Sequence, residues 1–144
     1  MRPRISLVHR AMIARAVEDY APEYTRGQHH PNAAAAEAAR AVTAYDLAPL
    51  TRRYGRRAVA AAALETIRRN PQILERPAAE CATAQHWREH LAEHLAAAAV
   101  RAYLAADHQR AALLLEDAET VNPRYDWSGY RAMATAPAPL AEAV

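Results

Sequence analysis

The chain reads as an all-α, single-domain bundle of about six helices that ends in an antiparallel helical hairpin. Three observations predict this. Apolar residues recur at three- and four-residue spacings along most of the chain. Ala, the strongest helix former, fills 39 of the 144 positions. The β-branched residues are scattered singly, without the alternating runs that pair as strands.

The elements follow in order. Ile5, Val8, Met12, Ala16 and Tyr20 define an amphipathic helix over 4–21, and Pro22 is expected to end it. Residues 22–32, with Gly27, the His29-His30 pair and Pro31, read as a loop. Asn32 is the expected N-cap of a helix over 33–45. That helix has only Val42 and Tyr45 as large apolar residues, so it must pack by its Ala face. Pro49 interrupts next; Leu47, Leu50 and Tyr54 then form a short helix, which Gly55 suits as a left-handed cap. Over 56–69, Val59, Ala63 and Ile67 share one face with Leu64 beside it, and Asn70-Pro71 stops the helix. Residues 71–77 form a connector.

The longest uninterrupted pattern spans 78–106, with Trp87, Leu91, Leu95, Ala98 and Ala102 as its expected buried stripe. Asp107 is the expected N-cap of a helix over 108–121, whose Leu114, Leu115, Ala118 and Val121 turn inward. Asn122-Pro123 stops it, and Asp126 caps a final short helix to about Thr135. The domain therefore spans 1–135, and the Pro/Ala tail 136–144 is expected to be extended and mobile.

The composition removes several function classes. No apolar run approaches the roughly 18 residues of a membrane span. The single Cys81 excludes an intramolecular disulfide framework and is read as a small buried residue. With no secretory pattern at the start, a cytoplasmic location is expected. With three Gly in the whole chain there is no Gly-rich phosphate loop, which argues against nucleotide-dependent chemistry. Leu, Ile and Val are few, but the net charge of only +2 argues against global disorder.

Residues 92–125 carry a family-like pattern. Leu95, Ala98, Ala99 and Ala102 fall on a first helix, and Ala111, Leu115, Ala118 and Pro123 on a second. The segment resembles a single tetratricopeptide repeat, with Ala99 at that motif's Gly position and Ala102 at its first Tyr position. The resemblance implies two antiparallel helices that touch through small residues. A looser echo runs from Arg57-Ala58 to Asn70-Pro71.

All 18 basic side chains other than His are Arg, and they are unevenly placed. Residues 40–76 hold eight Arg and three acids, a net of +5; residues 77–144 hold five Arg and nine acids, a net of −4. Arg52, Arg53, Arg56 and Arg57 surround Tyr54-Gly55, with Arg68 and Arg69 following. A short helix, a Gly and a longer helix outline a DNA-binding unit, and clustered guanidiniums hold phosphates. The other reading is that these Arg form a solvated face or pair with the acidic C-terminal half.

His86, His90 and His94 step by four along one helix face, a spacing at which two imidazoles chelate zinc or another divalent metal. His86-Trp-Arg-Glu-His90 and His90-Leu-Ala-Glu-His94 each have the H-x-x-E-H order and so resemble the inverzincin motif, which would make Glu89 or Glu93 a general base. The alternative is an amphipathic face with His–Glu helix pairs. Trp127 and Tyr130 are read as closing a core edge, or as a partner anchor if exposed.

The function expected from these features is a non-enzymatic helical protein-interaction or adaptor module that engages a protein partner or a second copy, with no catalytic residue and no cofactor assigned. The first alternative is a nucleic-acid-binding or regulatory protein using Arg52–Arg69. The second is a metal-binding bundle using the His stripe.

Overall fold

The computed structural model describes residues 3–25 and 31–135. Over them the chain forms seven α-helices, one 3-10 turn and no strand. The helices are α1 Leu7–Thr25, α2 Pro31–Asp46, α3 Ala48–Tyr54, α4 Arg56–Arg69, α5 Ala78–Leu104, α6 His108–Val121 and α7 Ser128–Thr135, with the 3-10 turn at Pro71–Glu75. The all-α expectation holds. No helix among the described residues is long and apolar enough to cross a membrane. The expected tail 136–144 lies outside the described residues, as do residues 26–30 of the expected loop 22–32; its two ends are helical and belong to α1 and α2.

Helices α1 to α4 and the 3-10 turn enclose one continuous core. Ile13, Val17, Tyr20, Val42, Leu50, Val59 and Ile67 are buried in it, and Ala35, Ala38 and Ala39 let α2 approach closely. Burying each large apolar side chain stabilises by about 1.5–3 kcal/mol. The Ala-faced packing expected of α2 is observed, with Val42 inside and Tyr45 exposed. In α1 the buried face is Ile13, Ala16, Val17 and Tyr20, so Val8, placed inward by the spacing, is exposed.

Pro22 does not end α1. It sits inside the helix, fully buried, and the helix continues to Thr25. A proline removes the N–H that would bond the carbonyl four residues earlier. Here that carbonyl is Glu18, and the Arg76 guanidinium donates to it at 3.2 Å. A tertiary donor thus replaces the missing backbone one. Asn32 is not the residue before its helix either, because α2 begins at Pro31, and proline suits a first helical position.

Gly55 joins α3 to α4, with φ 94° and ψ 144°. A positive φ was expected, but this ψ lies outside the left-handed helical region, in territory that glycine alone enters at little cost. Its N–H donates to the Thr51 carbonyl at 2.9 Å, so it closes α3 and opens α4 without an intervening loop.

Helices α5 and α6 form the expected antiparallel hairpin and share the most extensive helix–helix contact among the described residues. Ala106 turns the chain at φ 64°, and the Asp107 carboxylate accepts the Arg110 N–H at 3.1 Å as the N-cap of α6. Asp126 likewise accepts the Ser128 N–H at 3.0 Å where α7 begins.

Of the expected inward stripe of α5, Ala102 is buried and Leu95 and Ala98 are half-buried, but Trp87 and Leu91 face solvent, and the fully buried line runs one residue later at Ala92, Ala96 and Ala99. Ala84, Ala92, Ala96, Ala99 and Ala102 are buried, while Trp87 is 65% and Leu91 51% exposed. One residue is roughly 100° of helix rotation, enough to exchange the faces. The partner surface on α6 presents Ala111, Leu115 and Ala118, all buried. Small residues facing small residues let the axes approach closely, and a Trp or Leu on that line would hold them apart. On α6, Leu115 and Ala118 face in as expected, while Leu114 and Val121 are only half-buried.

Candidate functional site

Between the α1–α4 core and the α5–α7 hairpin lies a seam made of charges, amides and one aromatic ring. Tyr20, buried on α1, donates its O–H to Gln85 of α5 at 2.8 Å. The Arg88 and Arg124 guanidiniums lie 4.8 and 4.1 Å from its ring centroid. These are cation–π distances. Burial pushes the Tyr20 phenol up to about 12. Gln85 also donates to the Asn122 side-chain oxygen at 2.9 Å, which ties α5 to the end of α6.

Two buried carboxylates organise the cations. Asp19 accepts from Arg76 and from Arg88, both at 2.7 Å, and Arg15 lies 3.4 Å away. Arg88 then reaches the Val121 carbonyl at the end of α6. Asp46, at the end of α2, accepts the Tyr24 O–H at 2.6 Å and Arg124 at 3.2 Å; Arg124 also pairs with Glu23 at 2.8 Å. Burial lifts the Asp46 carboxyl above the usual carboxylate range, although the Tyr24 and Arg124 bonds draw it partly back down. No buried side-chain nitrogen or oxygen among the described residues lacks a partner. A fully satisfied buried network of this kind fixes one relative placement of its elements more than it adds stability.

Sequence reasoning passed over Asp19, Asp46, Arg88 and Arg124. A signal was available for the two acids. Asp19 falls three residues after Ala16 and beside Tyr20, within the apolar arc of α1. Asp46 falls four after Val42, on the buried side of α2. An acid on an apolar face needs a partner.

The structure divides the six Arg singled out from sequence. Arg52 and Arg53, on α3, pair across to α6 with Glu119 at 3.0 Å and Glu116 at 3.1 Å. Arg131 of α7 also binds Glu119. At this junction the basic middle and the acidic half are packed on each other, beside an open cavity of about 460 Å³. Arg69 pairs with Glu65 of its own helix at 2.6 Å. Arg56, Arg57 and Arg68 are exposed and make no ion pair among the described residues. Arg56 and Arg57 open α4 while Arg68 and Arg69 close it, roughly 18 Å apart at the helical rise. The six do not form one patch.

The three histidines lie on the exposed side of α5. The His90 and His94 Nε2 atoms are 3.3 Å apart, and their rings meet edge to face at 4.7 Å between centroids. His90 also meets Trp87 at 6.2 Å. Among the described residues, no three His, Cys, Asp or Glu side chains come together as a group able to hold a metal ion. Glu89 and Glu93, the bases that an H-x-x-E-H motif would supply, are exposed on the same helix, and Gln85 donates to Glu89 at 3.3 Å.

Two surface features complete the picture. Trp87 and Leu91 stand one turn apart beside a groove of about 230 Å³ that Met12, Ala84 and Val121 also line. On the opposite side of the hairpin end, Tyr125, Trp127 and Tyr130 cluster, with centroids 4.9 Å apart for Tyr125–Trp127 and 5.4 Å for Trp127–Tyr130. Trp127 is buried and donates its indole N–H to the Asn122 carbonyl at 2.7 Å, closing the core edge, whereas Tyr125 is exposed.

No family model matches the chain, and neither a curated protein nor a solved structure is significantly similar to it.

Proposed function

We propose that the chain is a non-enzymatic helical protein-interaction module that self-associates, with the outer face of α5 docking on the same face of a second copy. One observation carries this reading: α5 buries Ala92, Ala96, Ala99 and Ala102 and turns Trp87 and Leu91 outward. Single exposed apolar residues are ordinary, but an indole and a Leu one turn apart beside an apolar groove are a contiguous patch.

The choice of a second copy follows from shape. A two-fold interface needs one surface that is complementary to itself. Here a projecting indole and an adjoining groove of about 230 Å³ share one face. A two-fold rotation places each Trp87 against the groove of the other chain. The patch is small, so association is weak and depends on concentration.

The test is mass in solution. Light scattering over a concentration series should show monomer passing to dimer, and Trp87→Ser should remain monomeric while keeping its helical circular dichroism. A wild-type chain that stays monomeric up to millimolar concentration overturns the reading.

A nucleic-acid reading retains one supporting observation, the exposed Arg56, Arg57 and Arg68, which make no ion pair among the described residues. Its mark is a salt-dependent gel shift that weakens in Arg56→Ala/Arg57→Ala. The metal reading rests on the 3.3 Å His90–His94 approach. Its mark is a zinc-dependent rise in melting temperature that His90→Ala removes.

A further inference from the structure

A second cavity, of about 590 Å³, opens between α5 and the segment that carries the aromatic cluster. Its two walls differ in chemistry. On one side, Glu89 and Glu93 stand one turn apart on α5, above a floor of the buried Ala92 and Ala96. On the other side are Tyr125, Trp127 and Tyr130. Carboxylates therefore line a cavity that also presents aromatic rings.

We propose that this cavity is a binding site for an alkylammonium cation, held between the aromatic wall and the Glu89 and Glu93 carboxylates. An aromatic face is negative at its centre and attracts a cation, most strongly one whose methyl groups shed water easily. The two carboxylates add the net negative charge that the aromatic wall lacks. Neither is engaged in an ion pair among the described residues, and Glu89 receives only the Gln85 amide at 3.3 Å. One cation of the chain, Arg124, also lines the cavity. It is already neutralised by Asp46 and Glu23, and its guanidinium lies over the Tyr20 ring. It is therefore not the cation that the carboxylates await.

The wall is built to keep its shape. Trp127 is fixed by its hydrogen bond to Asn122 and is almost completely buried, so it backs the site. Tyr125 and the half-buried Tyr130 supply the accessible rings. Asn122, Arg124, Tyr125 and Trp127 of the lining come from the segment between α6 and α7, which is tied down by the Trp127–Asn122 and Arg124–Asp46 bonds, and this limits the ordering cost of binding. The small Ala92 and Ala96 keep the cavity floor low, and a longer side chain at either place would fill it.

The same chemistry has two sources, a free quaternary ammonium and a trimethylated lysine side chain on a peptide, and the test separates them. Choline, its uncharged isostere 3,3-dimethylbutan-1-ol, and a short peptide with and without trimethyl-lysine are titrated into the full chain. Binding is followed by Trp fluorescence and by amide chemical shifts. Saturable binding of choline or of the trimethylated peptide is expected, at least tenfold tighter than that of the isostere or the unmodified peptide. Glu89→Gln/Glu93→Gln should weaken it tenfold or more with circular dichroism unchanged, and Tyr125→Ala, at an exposed position, should weaken it as well. Binding of the peptide alone identifies a protein-borne cation; binding of choline alone identifies a small metabolite. Equal response to the uncharged isostere, no saturable binding of either cation, or full retention of binding in the double Gln variant overturns the proposal. The titrations are run on the Trp87→Ser chain, in which Trp127 is the one remaining Trp fluorophore, so the outcome is separate from that of dimerisation.

Discussion

In α1–α4 the buried positions combine large side chains, Ile13, Val17, Tyr20, Val42, Leu50, Val59 and Ile67, with the Ala face of α2; in α5–α7 they are filled chiefly by Ala92, Ala96, Ala99, Ala102, Ala111 and Ala118. The first region is stabilised by area, since each large side chain removes much apolar surface from water. The second gains little area per residue and relies on close approach of two helices and on dispersion at short range. The difference teaches where surface chemistry becomes available. A core made of large residues consumes most of them, although Leu7, Val8 and Tyr45 remain outside. A core made of Ala leaves Trp87, Leu91, Leu104, Leu113 and Tyr125 outside, where they can meet other molecules. Both candidate surfaces belong to the hairpin region for that reason, and the charged seam holds the hairpin in one position against the α1–α4 core.

The comparison is broken most severely at the seam. Asp19→Ala leaves Arg76 and Arg88 facing a buried gap, and removing one partner of a buried ion pair costs about 3–5 kcal/mol. Urea unfolding followed by Trp fluorescence and by circular dichroism checks this. Both Trp lie in the hairpin region, so the two probes should also lose coincidence if the halves come apart; a loss under 1 kcal/mol would show that the seam does not join them.

The contrast between the cores is sharpened by opposite substitutions. Leu50→Ala removes volume from the large-residue core and should cost about 3 kcal/mol by the same measurement. Ala118→Leu adds volume to the Ala-lined contact and should cost about 2 kcal/mol, by forcing α5 and α6 apart. If Ala118→Leu is neutral, the hairpin packs loosely, and the reason given for its exposed Trp87 fails.

The smallest effect is alkaline. In the folded chain burial raises the Tyr20 phenol to about 12, and burial with the Asp46 bond raises Tyr24 too. In the unfolded chain both ionise near 10. A group whose folded value is raised contributes fully below the unfolded value and loses that contribution as pH rises. Stability should therefore fall above pH 10 by at most about 1.4 kcal/mol per pH unit for each ring. Tyr20→Phe should flatten that slope, as read from urea midpoints between pH 9 and 11.

The helix boundaries were largely legible because they depend on local chemistry. At Asn70-Pro71 and Asn122-Pro123 the proline lacks the backbone donor that continues a helix, and Asp107 places its carboxylate on the Arg110 N–H in the first turn of α6. The candidate surfaces were less legible. The Arg and His clusters were visible as strings of residue types, yet Arg52 and Arg53, on α3, are bound to α6, and the other four Arg are split between the two ends of α4. The aromatic wall facing Glu89 and Glu93 joins residues about 35 positions apart in sequence, and no periodicity links them.

By itself the sequence determined the helical class, the ends of α4 and α6 at their Asn-Pro pairs, the Asp107 cap, the hairpin and the use of Ala at its contact. These are set by propensity, capping and residue size, all of which act over a few neighbouring positions. The tertiary structure alone decided that α1 runs through Pro22, that α5 is rotated to leave Trp87 and Leu91 in solvent, and that Asp19 and Asp46 are buried. Each of these is settled by a partner distant in sequence: Arg76 on the Glu18 carbonyl, the Ala face of α6, and the guanidiniums of Arg88 and Arg124. A local pattern ranks the faces of a helix by hydrophobicity, but which face is buried depends on the shape and charge of the surface that arrives to cover it.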